Sequence, residues 1–102
     1  MHDYIDYLPE GNISHLKTPS GGDAANQVVI DTVDSEVFYS YGVPIAIKIK
    51  YVPEGEPTTI IGKYWDYSAT TQRYLKQFTG NTASETRALI KDGTYQYEED
   101  MG

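Results

Sequence analysis

The sequence predicts an α+β fold, in which an antiparallel sheet of about four strands comes first and two short helices follow. Three observations support this class. β-branched and alternating segments occupy the first two thirds of the chain, capped amphipathic segments occupy residues 68–93, and turn signals separate the elements. Because the strands precede the helices, we expect both helices to pack on one face of the sheet.

Residues 1–26 are predicted to form an acidic, tyrosine-containing arm that ends in a Gly-rich joint. The arm includes Tyr4-Ile5-Asp6-Tyr7-Leu8, and the joint is Pro19-Ser20-Gly21-Gly22. Two interpretations of residues 4–8 stay open. They form a short edge strand or a loosely docked segment, or they are a linear peptide that orders on a partner. We therefore predict a flexible N-terminal arm and a single compact domain over residues 27–102.

Four strands are predicted within this domain. The first two lead into each other through the turn-prone Asp34-Ser35, which makes a hairpin the simplest connection. In the third, isoleucines at 45, 47 and 49 alternate with lysines, so we expect the isoleucines on one face and the lysines on the other. Gly62 marks a candidate bulge in the fourth. The predicted strands are residues 27–33, 36–41, 43–52 and 58–65.

Two helices are predicted from their caps. Ser68 can accept hydrogen bonds from the unpaired amides of a first turn, and Gly80 suits the exit of a helix over residues 69–79. Thr82 and Glu85 fit a capping box, which predicts a second helix that ends near Lys91. The first helix is predicted to bury Thr71, Tyr74, Leu75 and Phe78, and the second Ala83, Arg87 and Ile90.

Charge excludes some functions and favours others. Fifteen acidic against eight basic residues give a formal net charge of −7, which argues against direct nucleic-acid binding. Such a field would attract a basic partner. There is no cysteine, no apolar run long enough for a membrane span and no signal-peptide pattern, so we expect an intracellular protein that does not bind membranes.

No arrangement of residues indicates catalysis, a cofactor or a metal. The two histidines, His2 and His15, have no second imidazole at a metal-binding spacing, and the carboxylates around residues 31–36 lack the spacing of a calcium loop. Asp66 lies between Trp65 and a tyrosine, where its charge suits a nearby helix N-terminus better than acid–base work. We therefore predict a protein that is not an enzyme.

Two sequence elements carry a family resemblance. They are Tyr39-Ser40-Tyr41-Gly42-Val43-Pro44-Ile45-Ala46 and Trp65-Asp66-Tyr67-Ser68-Ala69-Thr70-Thr71, followed by Tyr74-Leu75 and Phe78. With them, residues 36–80 resemble a group of small, uncharacterised proteins encoded by bacteriophages of Gram-positive hosts. The resemblance implies a viral origin and a strand pair before the helix start, and it assigns no catalytic residue.

A viral origin would give the acidity a sharper meaning, because several anti-CRISPR and anti-restriction proteins resemble DNA in charge. The resulting hypothesis is a non-enzymatic inhibitor that acts in the host cytoplasm. It would occupy the nucleic-acid groove of a basic host defence nuclease, by DNA mimicry or groove blocking. The candidate partner-binding residues are Asp31, Asp34, Glu36, Asp66, Tyr67, Tyr95, Tyr97, Glu98, Glu99 and Asp100.

Two alternatives remain. A phage structural or assembly accessory protein would form homo-oligomers through tyrosine-rich strand edges. An enzyme would need a deep pocket around Trp65, Asp66 and Tyr67. The tail at residues 94–97 bears on the first alternative, because it either forms one more strand, with Tyr95 and Tyr97 on the same face, or stays loose.

Overall fold

A computed structural model describes residues 11–101 and shows a six-stranded mixed sheet with two helices over this range. The strands are adjacent in chain order, and every neighbouring pair is antiparallel except the last, which is parallel. The elements are β1 (Gly11–Lys17), β2 (Asp23–Thr32), β3 (Ser35–Ser40), β4 (Val43–Ile49), β5 (Thr59–Gly62), α1 (Ala69–Thr79), α2 (Ala83–Lys91) and β6 (Tyr95–Glu98).

The α+β class is confirmed, but the sheet is larger than the four antiparallel strands predicted. β1 and the start of β2 come from the residues predicted as arm and joint, and they pair from Gly11↔Thr32 to Lys17↔Asp23. Only Ile13 in β1 is β-branched, so composition alone gave no strand signal there. Residues 1–10, with the predicted segment 4–8, lie outside the described residues.

The sixth strand adds the parallel pair. β6 lies beside β5 with Ile61 opposite Tyr97, and α1 and α2 form the crossover that a parallel connection requires. Of the two interpretations left open for the tail, the structure therefore shows the strand.

Both predicted helices and their caps are confirmed. The Ser68 Oγ accepts the Thr71 N–H at 3.1 Å, and Gly80 ends α1 with a φ of 85°. The Thr82 hydroxyl and the Glu85 carboxylate cap α2 reciprocally. The four residues predicted to be buried in α1 are buried. In α2, Ala83 and Ile90 pack against the core as predicted, but Arg87 is exposed and Thr86 is the fully buried residue.

A bulge in β4 overturns the predicted placement of the isoleucines. Phe38 pairs with Ala46 and Tyr39 with Pro44, which leaves Ile45 as an extra residue between them. Ile45 and Ala46 are consequently both buried, at 2% and 0% exposure. Beyond the bulge the alternation is reversed, so Lys48 lies on the core side of the sheet and Ile47 and Ile49 lie on the other side.

The core lies between the helices and one face of the sheet, which we call the helix face. The rings of Phe38 in β3 and Phe78 in α1 are 5.7 Å apart, and Lys48 Nζ donates to the Phe78 carbonyl at 2.9 Å. Both helices contribute to one cluster, with Ala83 and Ile90 of α2 packed against it. The buried residues of this cluster are Ala24, Val29, Phe38, Ile45, Ala46, Ile61, Trp65, Tyr74, Leu75 and Phe78.

Candidate functional site

The second face of the sheet, which we call the open face, carries a row of apolar side chains across five strands. The strand registers place Ile13 opposite Ile30, Ile30 opposite Val37, Val37 opposite Ile47, and Ile47 opposite Ile60. Because side chains directly opposite one another share a face, these five residues form one continuous row. Val37 on β3 is its middle member.

Two flanking rows complete the open face. One contains His15, Val28, Tyr39 and Pro44, and the other contains Thr32, Ser35 and Ile49. His15 Nδ1 lies 2.9 Å from the Ala24 carbonyl oxygen, which fixes the orientation of its ring. Over β1–β5, none of these positions is Asp, Glu, Lys or Arg. These three rows are therefore uncharged in a chain with a net charge of −7, and the Lys17–Asp23 ion pair lies beside them, next to His15.

Considering residues 11–101 alone, the open face is accessible. Ile13 is 65% exposed, and its neighbours along the row are half-buried by one another. The two helices within residues 11–101 lie on the helix face, so neither covers the open face. A shallow groove of about 360 Å³ crosses the face at the β2–β3 hairpin, where Ile30, Val37 and Tyr39 line it and Val33 is 82% exposed at the tip.

Of the three carboxylates predicted around this hairpin, Asp31 and Glu36 are not on the open face, whereas Asp34 lines its groove. Asp31 and Glu36 lie opposite each other on the helix face, where Asp31 accepts from Lys50 Nζ at 2.5 Å and Glu36 lies 3.6 Å from Lys48. The hydrogen bond to Asp31 raises the pKa of Lys50. Asp34 at the turn accepts from the Thr32 hydroxyl at 2.9 Å.

Asp66 and Tyr97, two further predicted residues, meet at a second groove of about 360 Å³. Trp65 also lines this groove, and α2 supplies Arg87 and Lys91. Arg87 lies over the Trp65 ring at 5.2 Å and 3.9 Å from the Asp66 carboxylate. Sequence reasoning missed both cations, although their spacing of four residues places them on one side of the helix.

Tyr67 and the tail occupy other positions. Tyr67 is 79% exposed, does not line the second groove and packs edge-on against Tyr64. Tyr95 is half-buried and donates to Asn81 Oδ1, and burial raises its pKa. Glu99 and Asp100 are exposed, and Glu98 accepts from the Asp100 N–H at 3.4 Å.

The predicted partner-binding residues therefore do not form one surface. The β2–β3 turn is at the end of the sheet where β5 and β6 begin, whereas the acidic tail follows the other end of β6. The two groups also lie towards opposite edges of the sheet, because β6 is an edge strand and β2–β3 are close to the other edge. Asp66 and Tyr67 lie at the start of α1, and of these two Asp66 shares the second groove with Tyr97.

Within residues 11–101, no cluster of three or more histidine or acidic side chains is arranged to hold a metal ion. Neither of the helices in this range has the length and apolar character to cross a membrane.

Comparison with known proteins places the chain in a family. A family of unknown function, DUF8033, matches residues 16–95. The chain belongs to DUF8033. The match begins in β1 and ends at the first residue of β6, so the DUF8033 region contains most of the open face and both helices. No curated protein and no solved structure matches the chain.

Proposed function

We propose that this DUF8033 chain is a non-enzymatic interaction protein that binds another protein through the open face of its sheet. One observation carries the proposal, namely the uncharged apolar row from Ile13 to Ile60 that neither helix of the described range covers. Large exposed apolar patches rimmed by polar groups mark interaction sites in soluble proteins.

The physical reason is the cost of leaving this face in water. Antiparallel sheets with one solvated face normally place polar residues there, whereas the middle row here is entirely aliphatic. Burying apolar surface contributes roughly 25 cal/mol per Å², so each isoleucine that becomes buried against a partner favours association. Tyr39 adds a ring whose hydroxyl can remain solvated at the edge of a contact.

A second proposal is that the chain inhibits a host nuclease. It includes a phage origin and a location in the host cytoplasm. It is supported by the net charge of −7 and by exposed carboxylates at Asp34, Glu99 and Asp100. It requires separate acidic groups to act on one basic target, with Asp31 and Glu36 already engaged by lysines.

Affinity capture distinguishes the two proposals. The tagged wild-type chain, V37K and the triple variant D31N/E36Q/E99Q are used as baits in a lysate of cells that carry the gene. An untagged copy of the chain is added to the lysate. Binding through the open face predicts that V37K loses the captured protein and that the triple variant keeps it. Loss with the triple variant alone, at a strength that falls steeply with salt, would instead support the acidic inhibitor.

A further inference from the structure

We infer that the protein bound by the open face is a second copy of this chain, related to the first by a two-fold axis in the plane of contact. The inference rests on the proposed function and specifies its partner. Three features of the face support it: its charge, its area and the position of its centre.

Charge favours this mode of pairing. Two copies that each carry a net charge of −7 repel one another, and the repulsion is smallest where no carboxylates face each other. The three rows from Ile13, His15 and Thr32 contain no Asp, Glu, Lys or Arg, and the Lys17–Asp23 ion pair beside them has no net charge. Face-to-face contact also leaves Asp31 and Glu36 with their lysines on the far side of each sheet.

The area is sufficient for a weak dimer. Five strands about 4.8 Å apart are about 24 Å wide, and a six-residue strand such as β3 is about 20 Å long. Each copy therefore offers about 480 Å² of flat sheet face, or about 960 Å² for the pair. Protruding side chains add to this area. This total is close to the roughly 1,000 Å² of the smallest specific interfaces. A dissociation constant in the micromolar range is expected.

Two-fold symmetry relates the strands that face each other in the contact. For two sheets packed face to face, the two-fold axis lies between them, either along the strands or across them. We place the axis over the middle of the face, where the contact buries the most area, so the central strand of one copy faces the central strand of the other. β3 is the middle of β1–β5 and Val37 is in the middle row, so Val37 contacts Val37 of the second copy.

The ends of the row then distinguish the two orientations. With the axis along the strands, β1 faces β5, so Ile13 contacts Ile60 of the second copy. With the axis across the strands, β1 faces β1, so Ile13 contacts Ile13. Either contact buries the side chain that is 65% exposed in the single chain.

Sedimentation velocity over a concentration series tests the inference. We expect the wild type to change from monomer to dimer in the micromolar range, and V37K and I13K to weaken the dimer at least tenfold. A88K, which places the same charge on the exposed side of α2, should dimerise as the wild type does. I13K changes an exposed side chain of an edge strand, so it keeps the test valid if V37K does not fold.

Two outcomes would overturn the inference. If the wild type remains monomeric at every concentration, the dimer is refuted. The proposed function still stands in that case if V37K loses a different captured protein. A dimer that forms equally well with V37K and I13K also refutes the inference, because self-association then uses another surface.

Discussion

At the scale of single residues, two buried polar atoms lack a hydrogen-bond partner among the described residues. They are Thr86 Oγ1 on α2 and Gln27 Oε1 on β2, in side chains that are 0% and 2% exposed. A buried polar group without a partner loses its hydration with no compensation, at a cost of about 1–3 kcal/mol. Thr86 is therefore a site where an apolar side chain of the same shape should fit better.

We predict that T86V raises the free energy of unfolding by about 1 kcal/mol, because a methyl group replaces an unpaired hydroxyl at equal volume. Thr71 provides the matched control, since it is also buried but its hydroxyl lies 3.3 Å from Ser40 Oγ and 3.2 Å from Ser68 Oγ. T71V should therefore lower the stability. Urea unfolding measures both, and equal destabilisation by the two variants would contradict this interpretation.

The cap of α2 predicts a pH dependence. The hydrogen bond from the Thr82 N–H holds the pKa of Glu85 below its usual value. A carboxyl whose pKa is lower in the folded state stabilises the fold above its unfolded pKa of about 4.3, and this stabilisation is lost as the pH falls through the folded pKa. Acidification from neutral pH therefore weakens the cap.

E85Q should accordingly reduce the difference in unfolding free energy between pH 7 and pH 3, measured by urea unfolding at both values. Glu54, an exposed carboxylate in the turn after β4, provides the control. E54Q should change this difference less than E85Q does. An unchanged difference in E85Q would show that the carboxylate contributes nothing specific to the cap.

At the scale of elements, local signals predicted the helices and non-local pairing decided the sheet. Ser68 and the capping box at Thr82 satisfy amides within three residues, so the sequence alone identifies both helix starts. The bulge at Ile45 depends on how β4 pairs with β3, which no local pattern reports. Because of this extra residue, Ile45 lies on the helix face and Ile47 and Ile49 lie on the open face, whereas the prediction put all three on one face. The residues of the open face could not be predicted without the bulge.

Close packing where β5 ends gives a third prediction. A Cβ on Gly62 would lie 3.1 Å from Met101 Sδ and 3.3 Å from the Ile45 carbonyl oxygen, so the missing side chain is what allows Met101 and the bulge to approach. G62A should lower the unfolding free energy by about 1–3 kcal/mol, as overpacking does in other cores.

Gly22 provides the control for G62A. A Cβ there meets only Thr18 Oγ1, at 3.7 Å, so G22A should fold with nearly wild-type stability. Thermal unfolding compares the two variants, and equal melting temperatures would mean that Met101 moves aside without cost.

At the scale of the whole molecule, the apolar row and the ion pairs of Asp31 and Glu36 lie on opposite faces of the sheet. Composition alone predicted the negative field, but it could not show that the candidate carboxylates lie in separate groups or that Lys48 and Lys50 neutralise two of them. The apolar row is equally invisible in composition, because its members come from five strands and are joined only by the register.

The absence of cysteine makes the contact itself measurable, since a single introduced thiol is the only one in the chain. Facing sheets pack about 10 Å apart, so the thiols of two V37C chains should lie within reach of a short bis-maleimide. We predict a covalent dimer of V37C at micromolar concentration, and none of A88C, whose thiol is on the helix side. Equal cross-linking of both variants, or of A88C alone, would contradict contact through the open face.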